Sequence, residues 1–259
     1  MTDPRNQDRV VIVTGAGSGI GRATVTMLHT QGAHVVAVDL TDDSLAWTNA
    51  LDRVVRVSGS VTEPEINAAM VEAAVTVHGR LDAVALNAGI LVQGDIERGS
   101  MEDYDRVMDV NVRGVALGMK ACLSAMTTGG SIVATGSVSG LRGDSGLWAY
   151  NAAKGAVVNM ARAAALDVAH RGIRVNAVCP GPTESAMTEA AQGQPIGDAM
   201  AARVPLGRFG HAEEVAAAIC FLASPAASFI TGVALPVDGG ATSGTGQWAT
   251  YGGRKAGFA

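Results

Sequence analysis

Seven short runs of apolar, mostly β-branched residues recur along the chain, with stretches of helical length between most of them. The runs are 9–14 (RVVIVT), 34–39 (HVVAVD), 54–57 (VVRV), 81–86 (LDAVAL), 131–135 (SIVAT), 173–178 (IRVNAV) and 232–237 (GVALPV). Segments 19–32, 62–78, 101–126, 148–171 and 211–223 carry helical periodicity. A strand that is apolar on both faces has no side to offer water, so such strands imply a parallel sheet covered by helices on both faces. Right-handed crossovers then predict an α/β fold: a doubly wound, mainly parallel sheet of about seven strands. At 259 residues the chain fits one such domain, spanning 1–259.

Two stretches break the alternation. The Gly/Pro-rich region 179–209 contains an insertion, about 182–205, expected to act as a substrate lid. The tail, about 241–259, is Gly-rich yet holds Trp248, Tyr251 and Phe258. It is expected to pack its aromatics across a subunit boundary near the neighbour's 182–205 loop, or to fold back on its own subunit.

The formal net charge is −5, which gives no basic footprint for nucleic acid. No apolar run reaches the length of a membrane span, and the polar start MTDPRNQDRV shows no secretory signal. Cys122, Cys179 and Cys220 are far apart and form no C-x-x-C, so they read as reduced thiols. A cytoplasmic protein with no nucleic-acid or membrane partner and no metal site is expected.

The segment VIVTGAGSGIGRA places its glycines where the first strand becomes the first helix. A G-x-G-x-x-G pattern from Gly15 and Gly17 fails at Ile20; the pattern present is T-G-x-x-x-G-x-G over Thr14, Gly15, Gly19 and Gly21, with Ser18 and Ile20 inside it. Glycines let the backbone approach a pyrophosphate, and the helix N-terminus supplies N–H groups and a positive dipole. Asp39 ends the second strand, where an acid accepts hydrogen bonds from the adenosine ribose. It would repel a 2′-phosphate: two unit charges about 4 Å apart interact by roughly 4 kcal/mol at an effective dielectric near 20. NAD is therefore the expected cofactor.

Residues 150–154 read YNAAK. Alone, a Tyr and a Lys four apart say little. Here they follow, in order, NAG at 87–89, Asn111 in NVRG, and Ser137; CPGPTES at 179–185 comes after them. With Thr14–Gly21 and Asp39, this ordered set resembles the short-chain dehydrogenase/reductase family from Arg9 to about Gly240. The resemblance implies a Rossmann-type domain. It implies that Tyr150 is the acid/base, that Lys154 holds the nicotinamide ribose, and that Ser137 bonds the substrate oxygen. Asn111 would hold a helix bend and a water that links Lys154 to solvent. Asn87, Ala88 and Gly89 would line the adenosine ribose, with Ser60 and Val61 on the adenine side. The backbone after Pro180 and Gly181, with Thr183 and Ser185, would hold the carboxamide. A homotetramer through the helices at 148–171 and Asn111 is implied, a dimer being the alternative. The chain departs from the family pattern at Leu86, often Asn, at Ser60, commonly Asp, and at Ser185, frequently Thr.

The chemistry agrees with the resemblance. Oxidising a secondary alcohol removes a hydroxyl proton while hydride leaves to the nicotinamide. Tyr titrates near 10 when unperturbed. A Lys cation on the same helix face should lower that value toward the effective range. The expected function is NAD-dependent interconversion of a secondary alcohol and a ketone. One rival is a 3-oxoacyl carrier-protein reductase, which would prefer NADPH and could dock its acidic carrier on Arg171 and Arg174. The other is a non-catalytic NAD(H) sensor, which would not need the full Asn111/Ser137/Tyr150/Lys154 set. The expected pocket walls are Leu91, Val138, Ser139, Trp148 and the 182–205 loop. They are largely apolar without a cationic clamp, which points to a small hydrophobic or alicyclic alcohol. Trp148 reads equally as a core or interface aromatic.

Overall fold

The computed structural model describes residues 4–126, 128–189 and 192–244. In chain order the elements are β1 (Val10–Thr14), α1 (Gly19–Thr30), β2 (His34–Asp39), α2 (Asp42–Leu45), β3 (Val54–Ser58) and α3 (Pro64–His78). Then come β4 (Ala83–Leu86), α4 (Met101–Met108), α5 (Gly114–Ala125), β5 (Ser131–Thr135) and α6 (Trp148–Val168). The chain ends with β6 (Arg174–Pro180), α7 (Pro195–Ala201), α8 (Ala212–Ala223) and β7 (Ala234–Val237). The seven strands form one sheet in the order β3-β2-β1-β4-β5-β6-β7, every neighbour pair parallel.

The apolar runs behave as their composition requires. Every residue of β1, β4, β5 and β6 is buried. Successive side chains go to opposite faces. Val10 and Ile12 join Met70, Met119, Val157 and Ala161 beneath α3, α5 and α6. Val11 and Val13 join Val25, Leu28, Ile219 and Leu222 beneath α1 and α8. Each fully buried Val, Leu or Ile contributes about 1.5–3 kcal/mol relative to exposure, so both faces draw the chain into the same arrangement. The strand order reverses between β1 and β4, and a parallel sheet opens its ligand crevice at such a reversal, at the C-terminal strand ends.

Several boundaries differ from expectation. The 101–126 segment is α4 and α5 joined by a π turn at Asp109–Arg113. Helix α6 ends at Val168, and a 3-10 turn covers Ala169–Arg171. β6 runs on to Pro180, because β7 pairs with it as far as Pro180 opposite Val237. α2 and α7 are additional. Thr41 caps α2 by accepting from Ser44 N–H, with Asp42 and Asp43 in the first turn; α7 starts at Pro195 inside the expected lid. Cys122, Cys179 and Cys220 are buried, and no disulfide joins them to one another. Among the described residues no helix is long and apolar enough to cross a membrane.

Candidate active site

The first turn packs so tightly that side chains do not fit. Gly15 has φ +67°, and a Cβ there would stand 2.9 Å from Ala88 Cα. A Cβ on Gly21 would strike the Gly15 carbonyl. A Cβ on Gly19 would reach Ser185 Cβ at 3.2 Å, so the loop after β6 faces the turn. Ser18 is the exposed N-cap of α1, yet its hydroxyl caps no backbone N–H of the helix. Ile20 is half-buried against the core under α1. These features make a backbone-lined recess at a helix N-terminus, which fits a pyrophosphate.

Asp39 is aimed at the same recess. Its Oδ2 accepts from Gly17 N–H at 2.8 Å and its Oδ1 from Leu40 N–H at 2.7 Å. Two backbone donors fix the carboxylate and leave lone pairs for ribose hydroxyls. Asn87, expected to line the adenosine ribose, is held within the strand ends. Its amide donates to Thr14 O at 3.2 Å and accepts from Thr135 Oγ1 at 3.1 Å. Thr14 Oγ1 accepts from the N–H groups of Asn87 and Ala88. The side chain of Asn87 thus ties the ends of β1, β4 and β5 together. Ser60 is similarly engaged, with Thr62 Oγ1 at 2.8 Å. Val61 packs where a Cβ on Gly114 would meet it at 2.8 Å.

The residues expected to be catalytic converge at the ends of β4 and β5 and the start of α6. Asn111 is fully buried in the π turn. It donates to Ile90 O at 2.8 Å and accepts from Ile90 N–H at 2.9 Å, so the expected bend clamps the strand end to the helix. A Cβ on Gly89 would lie 2.7 Å from Asn111 Oδ1 and 3.4 Å from Lys154 Nζ. Lys154 is 3% exposed; its Nζ donates to Thr135 O at 2.8 Å and stands 5.6 Å from the Tyr150 ring centre. Ser137 begins a 3-10 turn and its Oγ accepts from Ser139 N–H at 3.1 Å.

The electrostatics correct one expectation. Tyr150 is not pulled down: burial raises its phenol, the Ser137 hydroxyl beside it lowers it, and the Asp144 charge raises it again. Lys154 is itself depressed to about 8, chiefly by burial. A buried pair resists carrying charge in either member.

The remaining residues expected on the cofactor side lie at the end of β6 and just after it. Gly181 N–H donates to Val237 O, and a Cβ there would meet Asp238 Cα at 2.8 Å. Pro180 is buried at the end of β6. Thr183 is buried, donates to Gly181 O at 2.9 Å and bridges to Gly210. Ser185 N–H donates to Thr188 Oγ1 at 3.1 Å. The base of the 182–205 loop is stapled by Arg208 on Glu214 and by His211 on Glu184 at 2.9 Å.

Three further placements bear on the substrate. Trp148 stacks on Tyr104 with ring centres 5.0 Å apart, within a cluster of Val107, Ala149 and Ala153, so it is a packing residue between α4 and α6. Arg171 donates to Leu123 O and Met126 O, and Arg174 to Ser224 O and Ile230 O. Arg174 is buried, and Arg171 is partly buried with its Nη2 turned to these backbone carbonyls. Missed from sequence were Thr135, whose backbone oxygen holds Lys154, and Arg142. Arg142 donates to Thr242 O at 2.7 Å and Gly244 O at 2.9 Å, pinning the chain after β7 to the loop after Ser137. Leu206 N–H donates to Gly239 O, so the same segment touches the end of the 182–205 insertion. Trp248, Tyr251 and Phe258 lie outside the described residues.

Comparison with known proteins agrees with this arrangement. A family model described as enoyl-(acyl carrier protein) reductase matches residues 15–242. The chain is 41% identical over 247 residues to meso-2,3-butanediol dehydrogenase of Serratia marcescens, covering 94% of this chain and 98% of that one. It is 41% identical to cis-4-hydroxycyclohexanecarboxylate dehydrogenase of Sinomonas cyclohexanicum, covering 91% and 97%. It is 38% identical to a 3-oxoacyl-(acyl-carrier-protein) reductase of Thermotoga maritima, covering 91% and 98%. A seven-stranded parallel sheet, the motifs in their order and near full-length similarity lead to one conclusion: the chain belongs to the short-chain dehydrogenase/reductase family.

Proposed function

We propose that this oxidoreductase interconverts a secondary alcohol and its ketone with NAD, using Tyr150 as acid/base. The observation that carries the reading is the gathering of Ser137, Tyr150 and Lys154 beside a glycine-walled recess that ends at Asp39. The named dehydrogenases at about 40% identity support the alcohol class. The internal use of Arg171 and Arg174 weighs against an acidic carrier protein as substrate.

Gly15, Gly19 and Gly21 with Ser18 would hold the pyrophosphate, and Asp39 the adenosine ribose. Lys154 would hold the nicotinamide ribose, and Gly181, Thr183 and Ser185 the carboxamide side. When bound, the nicotinamide supplies the hydride acceptor. Ser137 orients the alcohol oxygen; Tyr150 takes its proton in the oxidation once its own phenol has been deprotonated, and the phenol gives a proton back in the reduction. Asn111, in the π turn, holds the Ile90 backbone, and the adjoining Gly89 lies beside Lys154. Tyr150 and Lys154 are both buried, so the proton transfer takes place away from the protein surface. The 182–205 insertion acts as the lid over this site. Assembly into a homotetramer would use the outer faces of α4 and α6, where Met101 and Leu166 are exposed.

Tyr150→Phe tests the reading. It keeps the ring and removes the ionisable hydroxyl. Alcohol oxidation should fall by about 10²-fold or more, with NADH binding, read by fluorescence, nearly intact. Turnover within a few-fold of the parent would remove Tyr150 from the role.

A further inference from the structure

Between Ser137 and Tyr150 the chain makes an exposed loop, 140–147, and one acid in it is tied to the catalytic serine. Ser139 N–H donates to Ser137 Oγ at 3.1 Å, and Ser139 Oγ donates to Asp144 Oδ2 at 2.5 Å. Ser139 is buried, so it fixes the carboxylate from the protein side while Asp144 itself remains exposed. Asn151 Nδ2 holds the Asp144 carbonyl at 2.8 Å, which anchors the loop to α6 one residue past Tyr150. Gly146 O accepts from Gly94 N–H at 2.8 Å and anchors its far end to the segment after β4. A Cβ on Gly143 or Gly146 would meet nothing within 4 Å, so the chain around Asp144 borders open space. The charge reaches the reacting group, since Asp144 is among the causes that raise the Tyr150 phenol.

We infer that Asp144, held by Ser139, receives a second hydroxyl of the substrate, so that the preferred substrates are short vicinal diols or polyols and not mono-alcohols or hydroxy acids. The inference rests on the secondary-alcohol reading and adds the substrate class. An ionised carboxylate accepts hydrogen bonds only. Ser139 occupies part of one oxygen, and the remaining lone pairs call for a donor. Ser137 and Asp144 are both bonded to Ser139, one through its N–H and the other through its Oγ, so the serine and the carboxylate flank one buried residue. A substrate carboxylate would meet like charge instead. Arg142, two residues before, directs its Nη1 and Nη2 donors to the Gly244 and Thr242 carbonyls.

The test compares kcat/KM of the parent and Asp144→Asn for 2,3-butanediol, 2-butanol and 3-hydroxybutyrate with NAD. Asn keeps an acceptor for Ser139, so the loop is retained while the charge is removed. The parent should prefer the diol to 2-butanol by at least about tenfold, since a site built to bond a hydroxyl rejects the analogue lacking it. In Asp144→Asn that ratio should fall by about tenfold, and 3-hydroxybutyrate should gain relative to 2-butanol. Ser139→Ala, which frees the carboxylate without removing it, should lower the diol ratio by a smaller factor. A parent that oxidises 2-butanol as well as the diol, or a ratio unchanged within about twofold in Asp144→Asn, overturns this inference alone. A parent that oxidises none of the three overturns the alcohol-dehydrogenase reading and this inference with it.

Discussion

The two ends of the cleft are built from different materials. At the end proposed for the cofactor the surface is backbone. Gly15, Gly19 and Gly21 clear a recess in which a Cβ would collide, and two N–H groups aim Asp39. At the end proposed for the substrate the surface is side chains on loops: Ser137, Ser139 and Asp144 in one chain of hydrogen bonds, and Arg142 clasping the segment after β7. Backbone geometry is set by the fold and tolerates little change. Side chains on loops can be exchanged singly, which lets relatives named for different alcohols share one scaffold.

If the contrast is right, changes at the two ends fail in different ways. The Tyr150→Phe loss, about 10²-fold or more, should be the largest, because that residue belongs to the chemistry itself. Gly21→Ala comes next. Alanine is the better helix former by up to about 1 kcal/mol, so propensity alone predicts a gain in stability. The clash with the Gly15 carbonyl should reverse that sign: the melting temperature should drop and NAD binding weaken by about tenfold. A stable variant with parental NAD affinity would show that the recess is looser than described.

Asp39→Ala should leave the recess intact and move only the choice of cofactor. The ratio of kcat/KM for NAD over NADP should fall by about fivefold or more, the effect of about 1 kcal/mol of charge repulsion. A parent that already favours NADP would contradict the role given to this acid. The smallest effect is expected at Arg142. Arg142→Ala frees the segment after β7 and should raise the alcohol KM a few-fold while kcat stays within about twofold. NAD affinity should not move. Equal loss of NAD affinity would mean that the two ends are not separable.

The same contrast explains what could be read in advance. The turn at Thr14–Gly21 and Asp39 were legible because strand, turn and helix periods fix their spacing. The Tyr150–Lys154 pair and the bend at Asn111 were legible only through the family resemblance, which did not supply the partner of Asn111, the Ile90 backbone. Trp148 and the arginines 171 and 174 could not be assigned, since whether an aromatic or a cation faces a pocket depends on what packs over it. Tyr104 covers the first, and backbone carbonyls take the others. α2 did carry a signal, Thr41 ahead of Asp42 and Asp43, that a closer reading of capping would have used. The phenol of Tyr150 was misjudged because spacing reports the neighbouring lysine but not the burial that both groups share.

The central claim is a reaction, so the most direct measurement is of its products. The parent enzyme, given 2,3-butanediol and either NAD or NADP, would be followed for reduced cofactor and for carbonyl product in the same sample. The account predicts one hydroxyketone for each NADH formed, with NAD used in preference to NADP. Formation of neither product with any neutral secondary alcohol, or turnover with NADP alone, would contradict it.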